Sequence, residues 1–238
     1  MSRSVVMPVL VGAFLAACAE TGQDRVVVPL VVVASGRSEL LVDGWTITFT
    51  RADIALGPVY LCATRAASPD LCPVAVGEFA GAVQVDALDA ASQQVGLVSS
   101  VTGTVGSAMF DLGIAWVPTW TSPRAVSGSG GHSAVFEGSA TDGARSFTFA
   151  ATLDVLPQSQ GVLALQGQPV TGALAPGSRV EISLSPEAWW AAVDLAELHD
   201  LASGGALVIA PGSRAHNALV VAMVATAPPI LTIKTGEP

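Results

Sequence analysis

The sequence is poor in charge, and above all in positive charge. Lys234 is the single lysine among 238 residues, and ten basic residues stand against 19 acidic ones, which gives a formal net charge of −9. Because no basic stripe is available to neutralise phosphates, we expect no nucleic-acid partner. The same shortage argues against electrostatic docking onto anionic lipid, so a membrane contact would have to be apolar or covalent.

Recognisable catalytic motifs are also missing from the sequence. It contains no phosphate-binding loop, dinucleotide fingerprint or H-E-x-x-H zinc helix. The serine-glycine run over residues 127–131, "SGSGG", lacks the G-x-S-x-G order of a nucleophile elbow. We therefore predict a protein that is not an enzyme and carries no cofactor, with a bound metal as the open alternative.

The sequence does contain many apolar residues, and in several short segments they alternate with polar ones. Apolar residues make up 51% of the chain, and 15 prolines and 24 glycines interrupt it often, which favours short strands over long helices. Alternation is clear over residues 45–50, 110–116 and 147–155, and Asp142-Gly143 is a favoured hairpin turn. These patterns predict a mainly β fold, an antiparallel β-sandwich-like domain.

One segment changes to a helical pattern. Ser185 and Pro186 form a helix start, and Asp194 followed by Glu197 forms a second one. We therefore predict a short helical insertion near residues 186–201, whereas residues 217–226 are compatible with either helix or strand. A boundary between two subdomains within residues 117–131, which are rich in Ser, Gly and Pro, remains the alternative to one domain over 25–238.

The N-terminus has the pattern of a targeting signal. An apolar run over residues 5–17 follows Arg3 and is too short to span a membrane. It ends in "LAAC", residues 15–18, which resembles the lipobox of bacterial lipoproteins. The resemblance implies a signal peptide over 1–17, lipid attached to Cys18, and a tether over 18–24.

The lipid anchor would fix the location of the folded part. Six extended residues after Cys18 span about 20 Å, so the domain would lie close to a membrane of the cell envelope. Ala19 follows the cysteine where an Asp would indicate the inner membrane, so the resemblance favours the outer membrane in a diderm host. An ordinary secretory signal cut near Ala17 is the alternative.

Three further groups of residues are candidate sites. Cys62 and Cys72 are the remaining cysteines, and outside the cytoplasm such a pair predicts a disulfide. Convergence of His132, His199 and His216 would make a copper or zinc site, although strand parity points His132 and Glu137 to opposite faces. Tandem Trp189 and Trp190 could form a ligand-binding platform for sugars.

Taken together, these features predict a lipid-anchored, extracytoplasmic binding or structural module without catalysis. Its partners would be the membrane, reached through the N-terminal lipid, and an envelope protein or glycan. A periplasmic copper- or zinc-binding protein is the first alternative, and a carbohydrate-binding surface protein is the second.

Overall fold

Two β-sheets make up most of the fold. The computed structural model describes residues 23–65, 72, 75–203 and 206–235. The strands are β1 (Arg25–Ala34), β2 (Glu39–Val42), β3 (Trp45–Leu56), β4 (Val59–Cys62), β5 (Ala75–Phe79), β6 (Val83–Asp86), β7 (Gln93–Val101), β8 (Gly103–Thr104), β9 (Ser107–Phe110), β10 (Ile114–Ala115), β11 (Arg124–Ala125), β12 (Ala134–Thr141), β13 (Ser146–Leu153), β14 (Leu165–Pro169), β15 (Ala173–Leu174), β16 (Arg179–Leu184), β17 (Ala206–Ile209) and β18 (Ile230–Lys234). The helices are α1 (Pro186–Trp190), α2 (Leu195–Ala202) and α3 (Arg214–Val221), which continues as a π-helical turn over Ala222–Thr226.

The pairing of the strands is mostly antiparallel. The eight-stranded sheet has the order β14–β9–β4–β5–β7–β1–β16–β18, and the six-stranded sheet has the order β17–β13–β12–β3–β2, with β6 beside the second half of β3. However, β1–β16 and β13–β17 are parallel. Parallel neighbours need a long crossover, and many elements separate the members of each pair along the chain. The predicted mainly β, sandwich-like fold is confirmed, but its sheets are mixed.

One hydrophobic cluster joins the two sheets. Val28 and Ile182 of the eight-stranded sheet and Ile47 and Phe149 of the six-stranded sheet belong to it, and none of the four is more than 3% exposed. The cluster includes core residues from both sides of the segment 117–131. That segment forms a surface connection pinned by the β10–β11 ribbon.

The inward side of β3 changes parity part-way along the strand. Trp45, Ile47 and Phe49 are buried as their alternation predicts, but beyond residue 50 the positions that join the central hydrophobic cluster are the even-numbered Ala52, Ile54 and Leu56. A register shift opposite Glu137 and Gly138 of β12 inserts the extra residue. Such a β-bulge turns the rest of the strand over, which sets the outer-face residues on both sides of it.

The predicted hairpin at Asp142-Gly143 is present between β12 and β13. The Asp142 carboxylate accepts hydrogen bonds from the backbone N–H groups of Ala144 and Arg145 at 3.0 and 2.7 Å. Gly143 has φ +90°, a conformation that costs glycine little. Local hydrogen bonding therefore fixes this turn.

The helical insertion is confirmed as α1 and α2. Asp194 caps α2 by accepting the Glu197 N–H at 3.0 Å, whereas the Ser185 side chain makes no cap hydrogen bond at the start of α1. The segment that was compatible with helix or strand is helical, as α3 and its π-helical turn. Among the described helices, none is long and apolar enough to cross a membrane.

We predict that Phe136→Ala destabilises the fold by about 3–5 kcal/mol. Phe136 is fully buried and lies 5.9 Å from Phe49 and 5.7 Å from Trp190, centroid to centroid, so truncation leaves a cavity in the core. Urea unfolding measures the change. The control Leu41→Ala removes a side chain that is 78% exposed and should stay within about 0.5 kcal/mol of the parent; equal effects would contradict the assigned core.

Candidate functional site

The predicted cysteine pair is present as a disulfide. Cys62 and Cys72 are bonded, with their Cα atoms 5.5 Å apart. Cys62 is buried against Met109 and Leu163 in a small cluster that also touches Tyr60. The bridge thus ties the end of β4 to the next part of the chain. Cys18, the predicted lipidation site, lies outside the described residues.

The three histidines do not form a metal site. His132 lies in the turn before β12, His199 in the last turn of α2 and His216 in the first turn of α3. Among the residues that the structure describes, no group of three or more His, Cys, Asp or Glu side chains is placed to hold a metal ion. The predicted three-histidine site is therefore wrong, because the three elements do not bring these side chains together as one ligand set.

The tandem tryptophans are core residues. Trp189 and Trp190 are both 0% exposed, so the prediction that they form a sugar-binding platform is wrong. The ring of Trp190 lies 4.6 Å from that of Phe149 and 5.4 Å from that of Phe49. The short helix α1 therefore places both indoles against the phenylalanines of the six-stranded sheet, where a soluble ligand cannot reach them.

His132 instead borders a polar cleft on the outer face of β3 and β12. The cleft has a volume of about 230 Å³, and we call it the His132 cleft. The polar side chains along it include Arg51, Asp53, Gln84, His132, Glu137 and Thr152.

The parity argument fails for His132 because the residue precedes β12. His132 and Glu137 line the same cleft, and His132 is exposed, with its Nδ1 2.9 Å from Asp154 Oδ1. Arg51 donates to Asp53 at 2.6 Å and to Glu137 at 3.1 Å, and these hydrogen bonds raise the pKa of its guanidinium. Exposed ion pairs of this kind contribute little energy, and here the charges satisfy one another.

A second site lies on the outer face of β4 and β9. Its base is formed by Pro58, Tyr60 and Asp111, which is the residue after β9. The pocket has a volume of about 40 Å³, and we call it the Asp111 pocket. Two segments, 115–118 and 161–163, form its walls. The site therefore combines one carboxyl group with apolar and aromatic surroundings.

Hydrogen bonds hold the two walls of the Asp111 pocket together. The Gly161 N–H donates to the Trp116 carbonyl at 2.6 Å. The Gln160 side-chain amide donates to the carbonyls of Pro118 and Trp120, both at 2.7 Å. The Trp116 indole N–H also donates to the Trp120 carbonyl, at 3.0 Å. These four hydrogen bonds fix the shape of the pocket before any ligand enters, which lowers the entropy cost of binding.

Asp111 is a buried carboxyl with an incomplete set of partners. The residue is 2% exposed, and its Oδ1 accepts the Ala164 N–H at 2.7 Å. Burial raises the pKa of Asp111 to about 7, against the opposing effect of the Ala164 hydrogen bond. Burial likewise raises the pKa of Tyr60, with smaller contributions from Glu78 and Asp111. A carboxyl that changes charge near neutral pH inside a pocket marks a functional-site candidate.

The sequence patterns did not single out Asp111, although a signal was present. Alternation over residues 110–116 assigns Phe110, Leu112 and Ile114 to the core, and the structure buries all three. Asp111 on the opposite face is the one charged residue between Asp89 and Arg124. An isolated charge in a long uncharged stretch indicates an unusual environment, but only the cover provided by residues 161–164 makes it buried.

Comparison with known proteins gives no match: the chain matches no family model, no curated protein and no solved structure.

We predict that Asp111→Asn stabilises the protein at pH 8 but much less at pH 5. The folded-state pKa is about 7 against an ordinary 3.8, so protonation favours the fold and stability is lost as pH rises through this range. Asn keeps the Ala164 hydrogen bond and does not ionise. The stability difference between variant and parent, measured by urea unfolding, should grow by about 2–3 kcal/mol from pH 5 to pH 8.

Asp142→Asn is the matched control for this titration. The hydrogen bonds from Arg145 hold the pKa of Asp142 below its usual 3.8, so the carboxyl is ionised in both the folded and the unfolded state above pH 5. Its contribution to stability is lost only at more acidic pH. The difference between this variant and the parent should therefore stay constant from pH 5 to pH 8. A constant difference for Asp111→Asn as well would contradict the buried carboxyl.

Proposed function

We propose that the protein is a lipid-anchored, extracytoplasmic lipoprotein of the bacterial cell envelope that acts as a non-catalytic binding module. The observation that carries the proposal is the lipobox-like "LAAC" at residues 15–18 followed so soon by folded structure. Strand β1 begins at Arg25, which leaves six residues, about 20 Å when extended, between Cys18 and the domain. The Cys62–Cys72 disulfide supports the same compartment, since disulfides persist outside the cytoplasm.

The position of β1 suggests how such a domain would sit on its membrane. The strand lies inside the eight-stranded sheet, between β7 and β16, so the tether would pull on a strand that pairs with β7 from Arg25 onward and with β16 from Leu30 onward. The strand pairing from β1 through β7 and β5 to β4 places Arg25 and Cys62 at the same end of the sheet. The disulfide would therefore lie towards the membrane.

The Asp111 pocket would lie further from the membrane than the disulfide. Cys62 pairs with Ser107 at the start of β9, and Asp111 follows four residues later, a rise of about 13 Å along a strand. A pocket at this level, open on the outer face of the sheet, suits a ligand that arrives from the envelope space. The fixed walls and the single carboxyl support a role in recognition.

We predict that Cys18→Ala abolishes lipid attachment. In a diderm expression host, the parent should incorporate labelled palmitate and fractionate with membranes, because the Cys18 thiol carries the diacylglycerol. The variant should lose the label and leave the membrane fraction. Cys72→Ser is the matched control, since it removes a cysteine but keeps the lipobox, and it should still be labelled. Labelling of Cys18→Ala, or no labelling of the parent, would contradict the anchor.

The residue after the lipidated cysteine offers a test of localisation. We propose that Ala19 directs the lipoprotein to the outer membrane of a diderm host, as the resemblance to bacterial lipoproteins implies. Ala19→Asp should then move the protein to the inner-membrane fraction of a density gradient, whereas Ala19→Ser should not. A parent already in the inner membrane would contradict this part of the proposal and leave the anchor intact.

A further inference from the structure

We propose that the Asp111 pocket binds a primary ammonium group carried on a slim alkyl chain. The proposal rests on the binding role given above, to which it adds a ligand class, and it does not depend on the lipid anchor. Three properties of the pocket lead to this ligand: an incompletely bonded carboxyl, aromatic rings beside it, and a volume that admits only a small group.

The carboxyl of Asp111 has an unused acceptor. Its Oδ1 accepts the Ala164 N–H, whereas no described residue donates a hydrogen bond to Oδ2. Asp111 as a residue is 2% exposed, so its carboxyl loses most of its hydration, and an incoming donor replaces the lost hydrogen bonds. A cationic donor also offsets the cost of burying the ionised carboxylate, so an ammonium gains more here than a neutral donor.

Aromatic rings add to the preference for a cation. Tyr60 and Trp116 both line the pocket, and ring faces attract ammonium groups, most strongly where water is excluded. Trp116 is fixed by the hydrogen bond from its indole N–H to the Trp120 carbonyl at 3.0 Å. The ring therefore stays in place without a ligand, so binding does not have to order it.

The volume limits the ligand. The volume of about 40 Å³ has room for roughly three water-sized groups, at about 10–15 Å³ each. Ethylammonium has three non-hydrogen atoms and matches that space, whereas a tetramethylammonium ion is too wide. The pocket thus accommodates the end of a primary amine.

Few other charges act on Asp111. Tyr60 is the second titratable group that lines the pocket, and Glu78 of β5 pairs with it across the sheet. The walls at 115–118 and 161–163 consist of uncharged residues. Arg124 stacks over the Trp120 ring at 5.4 Å and is not among the lining residues, so no described cation occupies the place of the ammonium.

Titration of the full-length protein with ethylammonium chloride tests the proposal. The protein is kept in a nonionic detergent at pH 8, with potassium chloride holding the ionic strength constant. The NMR signals of the Trp116 indole N–H and the Ala164 amide should shift and saturate, with a dissociation constant on the order of 1 mM for so small a ligand. 1-Propanol and tetramethylammonium should bind at least tenfold more weakly.

Variants separate the carboxylate from other sources of affinity. Asp111→Asn should weaken ethylammonium binding at least tenfold, whereas the matched control Glu78→Gln should change it less than threefold. Affinity should also fall as pH drops below 7, towards tenfold per pH unit, because the ammonium needs the ionised carboxylate. Equal binding by Asp111→Asn, or equal binding of 1-propanol, would overturn the proposal.

The amine could belong to a free small molecule or to a lysine side chain of another protein. The amide of Nα-acetyl-lysine, titrated in the same way, distinguishes these sources. Tighter binding than ethylammonium assigns the site to lysine side chains, and weaker binding assigns it to free amines; either result supports the ammonium site. No saturable shift with either probe overturns the inference, while palmitate labelling at Cys18 tests the anchor separately.

Discussion

The sandwich depends on the packing of two adjacent tryptophans, Trp189 and Trp190, against the inner face of the six-stranded sheet. Helix α1 is only five residues long and could not persist alone, so packing must hold it in place. Trp190 meets the rings of Phe49, Phe136 and Phe149, and Trp189 donates its indole N–H to the Ala227 carbonyl at 2.7 Å. The helix therefore closes the inner face of the six-stranded sheet and leaves the outer faces of both sheets to carry polar groups.

The two outer faces differ in whether their charged side chains are exposed or buried. On β3 and β12, Arg51 stands between two carboxylates in an exposed cleft, and solvent completes the remaining interactions. On β4 and β9, the segment over residues 161–164 covers Asp111 and takes it out of water. A covered, unpaired carboxyl costs stability unless it is protonated or paired. Asp111 carries that cost in free energy of unfolding, and functional sites commonly reduce the stability of their scaffold in this way.

Local patterns were enough to predict the class of fold and the Cys62–Cys72 disulfide, but neither of the two polar sites on the outer faces. The hairpin at Asp142-Gly143 and the Asp194 cap depend on neighbouring residues, and both are present. The burial of Trp189 and the separation of the histidines depend on packing between elements that are distant in sequence. Sequence alone could not predict such contacts. A pair of adjacent tryptophans has the same sequence pattern whether its helix faces solvent or packs against a sheet.

The bulge in β3 shows how one inserted residue decides which side chains meet. Before it, odd-numbered residues point into the core, and after it even-numbered ones do. Without the shift, Arg51 and Asp53 would face the core, where the cost of burying unpaired charge is prohibitive. Gly138, opposite the bulge, has no room for a side chain, because a Cβ there would clash with the backbone carbonyl of Thr48. The position of the polar cleft therefore depends on backbone register as much as on the charged residues themselves.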